Sequence, residues 1–297
     1  MNKKRNVIIG INGKAGSGKD TVGTLFRESI NNYYLAQVKE DTTPLKYFFC
    51  EALKKFKVGW HSTTQVNDMT QLIYSFNLGD NLKQFCSYLY SIPLNMFYDS
   101  NKHDKHSYYN LRTGKLINVK SLKNYDYKIF TSKELNDYYT TNLNKLTTSY
   151  ELSNQLFKLD DESMPFNMLI NIRELMVYTG NYLIQRRVHK NTFFNSMCDS
   201  SQFKEALDLD KVIVINDIRF DSEYHALVDR FKDERDIYLF NVVRPDSEYN
   251  VSNASEEGIS KQLIDEKFIK IENTTLDNIY NNIEEMLDVI KINHILK

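Results

Sequence analysis

The stretch Asn6-Val7-Ile8-Ile9-Gly10-Ile11-Asn12-Gly13-Lys14-Ala15-Gly16-Ser17-Gly18-Lys19-Asp20-Thr21 decides the fold. Asn6 to Asn12 is a short, almost wholly apolar run, Gly13 to Gly18 is a glycine-rich turn, and from Lys19 onward Val22, Leu25 and Phe26 recur at helical spacing. A strand that is apolar throughout, rather than alternately, expects cover on both of its faces, so strand, turn and helix read as the first unit of an α/β sheet. The turn holds a glycine, four residues and then Gly18-Lys19, the spacing of a phosphate-binding loop. That chemistry has a specific need: several backbone N–H groups must approach phosphate oxygens together, so side chains are removed at Gly13, Gly16 and Gly18, and the helix beyond offers its positive end. Lys19 adds a charge for the β- and γ-phosphates. Asp20 stands where a serine or threonine hydroxyl usually meets magnesium, with Thr21 one residue later, and either is a candidate for the metal. The plain alternative is a glycine-rich strand-to-helix turn without a ligand.

Working outward, Tyr33 to Val38 reads as a second strand and Pro44 to Phe56 as a helix, with Leu45, Phe48, Phe49, Leu53 and Phe56 on one face and further helical spacing to about Phe97. From Tyr98 to Asp161 the texture turns to tyrosine, asparagine, lysine and threonine without a sustained period, so 98–161 reads as a large insertion, with Lys115 to Val119 and Tyr127 to Phe130 as short strands. A long helix is expected from Pro165 through Leu169, Ile170, Ile172, Leu175, Met176, Leu183 and Ile184, then a second from Asn191 to Leu207. Lys211 to Asn216, Asp236 to Val243 and Phe268 to Ile271 read as strands, with helices at Ser222 to Phe231 and Leu276 to Ile292. The expectation is one α/β domain over residues 1–297, built on a mostly parallel sheet covered on both faces.

Composition narrows the function classes. Of 297 residues, 38 are Lys or Arg and 39 Asp or Glu, a formal net charge of -1, so a nucleic acid polymer is not the expected partner. The three cysteines, Cys50, Cys86 and Cys198, are far apart and lack metal-ligand spacing, which fits a reducing cytoplasm. The apolar run Val7 to Ile11 is too short for a signal peptide, and no stretch reaches the roughly 20 apolar residues of a membrane span. A soluble cytoplasmic protein without a membrane partner is expected.

Further segments, taken in order, resemble the deoxynucleoside monophosphate kinases of tailed bacteriophages, a branch of the nucleoside monophosphate kinase-like P-loop enzymes. Gly18-Lys19-Asp20-Thr21 is similar to that family's variant of the phosphate loop, and Thr43-Pro44-Leu45-Lys46 to the start of its substrate-side helix. Arg173-Glu174-Leu175-Met176, Thr179-Gly180 and Phe193-Phe194-Asn195 resemble its arginine, threonine-glycine and aromatic elements. Asn216-Asp217-Ile218-Arg219-Phe220 with Glu223, then Arg244-Pro245 and Ala254-Ser255-Glu256, complete the series, leaving Phe56 to Met164 largely unmatched.

The resemblance implies a three-layer P-loop kinase fold with a helical substrate-binding region, and transfer of phosphate from ATP, with Mg2+, to a deoxynucleoside monophosphate. If the chain is phage-encoded, it would act in the host cytoplasm. It assigns Gly13, Ala15, Gly16, Ser17, Gly18, Lys19, Asp20 and Thr21 to the nucleotide, Lys19, Asp217 and Arg219 to catalysis, and Lys46, Arg173, Gly180, Arg187, Phe193 and Glu223 to the acceptor. Arg186 stands beside Arg187 as the other candidate for a phosphate, and Arg244 is a further cation; arginine forks suit such groups because they bind two oxygens at once. Phe193 would stack on the base where the family has tryptophan.

Structural alternatives stand beside these roles: Asp217 as a helix cap, Arg219 with Glu223 as an ion pair four residues apart, Arg186 and Arg187 as a solvated helix end, and Phe193 and Phe194 as core. Asn253 to Ile259 reads either as part of a lid or as a capping box started by Ser255. Another small-molecule P-loop kinase, similar to dephospho-coenzyme A kinase or phosphomevalonate kinase, and a non-catalytic nucleotide-binding switch or scaffold are the competing functions; a homodimer is compatible with each.

Overall fold

The computed structural model describes residues 7–14, 16–57, 70–98, 107–111, 113–118, 127–143, 167–245 and 258–290. In chain order the strands are β1 (Val7–Asn12), β2 (Ile73–Asn77), β3 (Ser107–Asn110), β4 (Lys115–Asn118), β5 (Tyr127–Phe130), β6 (Asn167–Asn171), β7 (Val212–Asn216), β8 (Asp236–Val243) and β9 (Ile269–Glu272). The α-helices are α1 (Lys19–Val38), α2 (Leu45–Lys57), α3 (Leu78–Tyr90), α4 (Ser132–Leu143), α5 (Ile172–Val177), α6 (Thr192–Asp199), α7 (Ser201–Asp208), α8 (Asp221–Phe231), α9 (Lys261–Lys267) and α10 (Leu276–Ile290). Contacts divide the chain into two compact units, Met1–Gly79 with Phe193–Lys297, and Asp80–Thr192. The second unit is wider than the 98–161 segment that the sequence marked as inserted.

In the first unit, five strands form a wholly parallel sheet in the order β2-β7-β1-β8-β9. Side chains alternate across it. Val7, Ile9, Ile11, Val212, Val214 and Val242 pack with α1, α2 and α10, while Ile8, Ile213, Ile215 and Leu239 pack with α6, α7 and α8 on the other face. Cover on both faces explains why all six residues of β1 are buried and why the run is apolar rather than alternating. The chain leaves β1 toward β2, whereas it leaves β8 toward β9. The crevice beyond the carboxyl ends of β1 and β8 is therefore a topological switch point, the place where open α/β sheets bind ligands.

Two features tie β1 and its helix into the sheet. A Cβ on Gly10 would lie 2.5 Å from Ile218 Cδ1 and 2.6 Å from Leu239 Cδ2, so glycine is what lets Ile218 of the turn after β7 and Leu239 of β8 pack down on β1. Asn31 of α1 is buried, donates from Nδ2 to Ile73 O at 3.2 Å and accepts from Ile73 N at 2.8 Å, giving the start of edge strand β2 a partner that no strand supplies.

The second unit has its own mixed sheet, ordered β4-β3-β6-β5, in which only β5 and β6 run parallel. Met168, Ile170, Ile172, Leu175, Phe130, Leu135, Phe97 and a group of tyrosines form its core. The Tyr90 and Thr179 hydroxyls lie 2.8 Å apart in it, and Thr179 Oγ1 donates to Leu175 O. Tyr178–Gln185 is a π-helix, a wide turn into which that back-bonding threonine fits.

Several expectations are corrected. Tyr33 to Val38 is the end of the 20-residue helix α1, which stops only where Glu40 adopts φ 60°; helix propagation and packing override the strand propensity of Tyr33-Tyr34. The supposed helical stretch before Phe97 contains β2, recruited by pairing with β7. Leu169 and Ile170 lie in strand β6, not in a helix; the helix starts after Asn171, whose side chain accepts from Arg173 N at 2.8 Å. The single helix expected over Asn191 to Leu207 is two, divided at Ser200, which caps the second through Phe203 N. Cys50 is exposed while Cys86 and Cys198 are buried, and burial pushes the Cys86 and Cys198 thiols up to about 12, away from reactivity. Among the described residues no helix is long and apolar enough to cross a membrane.

Replacing Asn31 by alanine strands the Ile73 N–H and C=O in the interior. At about 1–3 kcal/mol for each group left unpaired, Asn31→Ala is expected to cost about 2–6 kcal/mol in a denaturant melt. A loss below about 1 kcal/mol would show that β2 does not depend on this amide.

Candidate functional site

At the carboxyl edge of the first sheet, β1 turns into α1 through residues 13–18. Gly16 and Gly18 adopt positive φ, 79° and 83°, a region that an L side chain disfavours. A Cβ on Gly13 would lie 2.5 Å from Ser17 Oγ and 2.8 Å from Val242 O, so the turn lies close against the end of β8. Ser17 N donates to Lys14 O at 3.1 Å, and Val22 N to Gly18 O at 2.9 Å starts the helical ladder. The Ser17 hydroxyl is buried without a hydrogen-bond partner among the described residues. Ala15 lies outside the described residues.

Lys19 is 7% exposed and its ammonium stands 3.4 Å from Asp217 Oδ1 and 3.8 Å from Asp20 Oδ2. Asp217 follows β7, the strand paired directly with β1, and holds φ 69°, a left-handed conformation that Asp tolerates better than most residues. Ile218 N returns a hydrogen bond to Ile11 O at 3.1 Å, fixing this corner onto β1. Arg219 Nε donates to Asp217 Oδ2 at 2.7 Å, with Nη2 on the same oxygen. Burial alone would raise the Asp217 carboxyl, but the Arg219 and Lys19 charges outweigh it and hold the group below its ordinary range. The site therefore has one ionised carboxylate gripped by two cations, one buried and one on the surface.

Glu223 belongs to the support of that corner. It is 6% exposed, and its Oε2 accepts from Arg219 N at 2.8 Å and from Phe220 N at 3.1 Å, satisfying donors at the start of α8. Asp217 does not cap α8, because Phe220 occupies the N-cap position, and the Arg219 guanidinium pairs with Asp217 while Glu223 takes the backbone. Glu223 is thus placed to hold the turn rather than present its carboxylate to a solvent-borne ligand.

The remaining expected residues scatter. Asp20 is exposed and Thr21 partly buried in the first turn of α1. Lys46 lies exposed on α2 with its ammonium 5.7 Å from the Tyr280 ring centroid. Phe193 is partly buried, whereas Phe194 is core, packed with Met197 and Phe203. Arg244 is exposed just after β8. Arg173, Gly180, Arg186 and Arg187 belong to the second unit, where a Cβ on Gly180 would meet Leu82 Cδ2 at 2.9 Å, a packing reason for that glycine, and Arg186 lies over the Tyr182 ring. Ala254, Ser255 and Glu256 fall outside the described residues. Among the described residues no group of three or more His, Cys, Asp or Glu side chains could hold a metal ion.

Two contributors were not read from the sequence. Asn216, the last residue of β7, donates to Ser75 Oγ at 2.9 Å, and its Oδ1 occupies the space that a side chain on Gly23 of α1 would fill. Asn273, just after β9, donates from Nδ2 to Ser17 O at 2.8 Å while its own N–H donates to Val243 O at 2.8 Å. Asn216 ends the apolar run Val212 to Ile215 and opens the segment that resembles the kinase family, whereas Asn273 only follows the alternating strand Ile269-Lys270-Ile271-Glu272. Among known proteins, no family model matches the chain and no curated protein matches it.

Burial pushes the Glu223 carboxyl up to about 7, against its two backbone donors and reinforced by the Asp217 charge. Its folded value thus lies above the ordinary 4.5, so the native state holds the proton more tightly, and stability falls as pH rises between the two. Glu223→Gln carries no charge to bury. Urea melts should show the variant gaining on the parent by about 3 kcal/mol between about pH 4 and about pH 8. Parallel pH profiles for the two proteins would refute the assignment.

Proposed function

We propose that the chain transfers the γ-phosphoryl group of ATP to a deoxynucleoside monophosphate, giving ADP and the deoxynucleoside diphosphate. The observation that carries this reading is the convergence of the Gly13 to Lys19 turn with Asp217 and Arg219 at the switch point of a parallel sheet. In this reading the turn is a phosphate-binding loop and the first unit has the three-layer architecture of P-loop kinases. Support comes from the positive φ of Gly16 and Gly18, the 20-residue helix starting at Lys19, and the buried ammonium aimed at the carboxyl edge. The acceptor class rests on the ordered resemblance of the segments from Gly18-Lys19-Asp20-Thr21 to Arg244-Pro245.

Phosphoryl transfer asks little covalent chemistry of a protein: an acceptor phosphate oxygen forms a bond to the γ-phosphorus as the bond to the β,γ-bridging oxygen breaks, and the negative charge must be stabilised. Lys19, held in place by Asp217, supplies a preorganised cation to the β- and γ-oxygens, and the backbone N–H groups of the turn supply the rest of the cradle. Arg219, anchored through Nε to Asp217, can turn donors toward the transferred group. Oxygen donors suited to Mg2+ are present in the Thr21 hydroxyl and in the Asp217 and Asp20 carboxylates, and Asp217 Oδ1, which meets Lys19 as an ion pair and accepts no hydrogen bond among the described residues, has capacity for a metal-bound water. When bound with the nucleotide, Mg2+ would screen the repulsion between the two anionic substrates.

A coupled ADP-release assay with ATP and Mg2+, run across dTMP, dGMP, dCMP, dAMP and the ribose counterparts, tests the reading. Turnover on one or more deoxynucleotides is expected, with Lys19→Ala lowering kcat/KM by about 100-fold or more. Protein that binds ATP but shows no monophosphate-dependent turnover would end this proposal.

A further inference from the structure

We infer that Asn273 is a positioning residue for the phosphate cradle: its side-chain amide orients the Ser17–Gly18 peptide so that the Gly18 N–H faces a bound polyphosphate. This rests on the nucleotide-binding reading above and names a device on which that reading depends.

Asn273 is held by its own backbone. It follows β9 directly, and its N–H donates to Val243 O at the end of β8, 2.8 Å away. From that fixed point the side-chain Nδ2 reaches Ser17 O at 2.8 Å, joining residues 256 positions apart. The direction of this bond determines the direction of another group. In a trans peptide the C=O of one residue and the N–H of the next point opposite ways, and the described chain contains no cis peptide. Drawing the Ser17 carbonyl toward Asn273 therefore turns the Gly18 N–H away from it. Gly18 is the N-cap residue of α1, at the positive end of the 20-residue helix, where an N–H turned outward adds to the field that favours an anion.

The sequence at Gly18 answers to the same contact. The residue has φ 83°, and the space a Cβ would occupy is taken by the Asn273 amide. Glycine is required here twice over, for the backbone conformation and for the approach of Asn273. The buried Ser17 hydroxyl, which has no hydrogen-bond partner among the described residues, lies on the same residue whose carbonyl Asn273 holds. The β9–α10 junction, which carries none of the residues that the sequence nominated, thereby sets the shape of the turn between β1 and α1.

The test measures binding of ATP and, separately, of inorganic pyrophosphate to the full chain and four variants, with thermal unfolding of each. Asn273→Asp keeps the shape but has no donor, Asn273→Ala removes the group, Lys19→Ala marks the loss of the cradle's cation, and Asn282→Ala is the control. Asn282 donates to the neighbouring Glu272 O and does not touch the turn. Both Asn273 variants are expected to bind ATP and pyrophosphate about tenfold more weakly, the equivalent of one oriented hydrogen bond, with unfolding midpoints near that of the parent and Asn282→Ala binding as the parent does.

If Lys19→Ala loses both ligands while the folded Asn273 variants bind normally, the positioning role is wrong and the nucleotide site stands. Weakening of ATP but not pyrophosphate would overturn it too, because Asn273 would then act on the nucleoside. Unfolding of both Asn273 variants would reduce the contact to a structural one and overturn the inference. A parent protein that binds neither ligand removes the nucleotide reading and this inference with it.

Discussion

The first unit depends on where β1 lies: between β7 and β8, with helices on both faces of the sheet. A central parallel strand cannot turn at its end without bringing the next segment over the neighbouring strands, so the β1–α1 turn is forced against the end of β8 and beside that of β7. Gly13 is small because Val242 O is there, and Gly10 because Ile218 and Leu239 are. The pairing that buries Ile8 to Ile11 against Ile213 to Asn216 also sets Lys19 and Asp217 3.4 Å apart. Core packing and site geometry are consequences of one register, and a slip by a single residue would send the β7 side chains to the wrong faces.

Two carboxylates near this corner are driven in opposite directions by their surroundings. Asp217 lies between Lys19 and Arg219 and stays ionised despite its burial; Glu223, six residues on, has only backbone donors and is pushed up to about 7. Such separation is how neighbouring acids take different roles. Here the ionised one meets the cations of the site and the other ties down the turn that carries them. The strained φ of Asp217 is tolerated because Ile218 N and Glu223 fix the residues after it.

The second unit follows a different logic. Its sheet is small and mixed, and its core uses tyrosines whose hydroxyls must be satisfied or kept at the edge; Tyr90 does this through Thr179. Burial raises the Tyr90, Tyr139 and Tyr178 phenols, so they are neutral packing groups at any ordinary pH. That explains how a segment poor in Leu, Ile and Val still closes a core.

The sequence by itself determined the α/β class, the strand-turn-helix start, and β5, α8 and β8 almost to the residue, because continuous apolar runs and helical periodicity are local signals that burial on both faces writes directly into composition. The glycine spacing also nominated Gly13 to Lys19 as a phosphate loop, and the family resemblance nominated Asp217, Arg219 and Glu223 as site residues. Only the tertiary structure decided that Tyr33 to Val38 continues a helix, that Ile73 to Asn77 and Asn167 to Asn171 are strands, that Glu223 braces a turn while Arg219 pairs with Asp217, and that Asn273 reaches Ser17. Those outcomes depend on partners between two and 256 residues away: strand pairing, the burial of a carboxylate, and the approach of an amide to a glycine without a Cβ. A short window of sequence holds one side of each such contact, and the energy belongs to both.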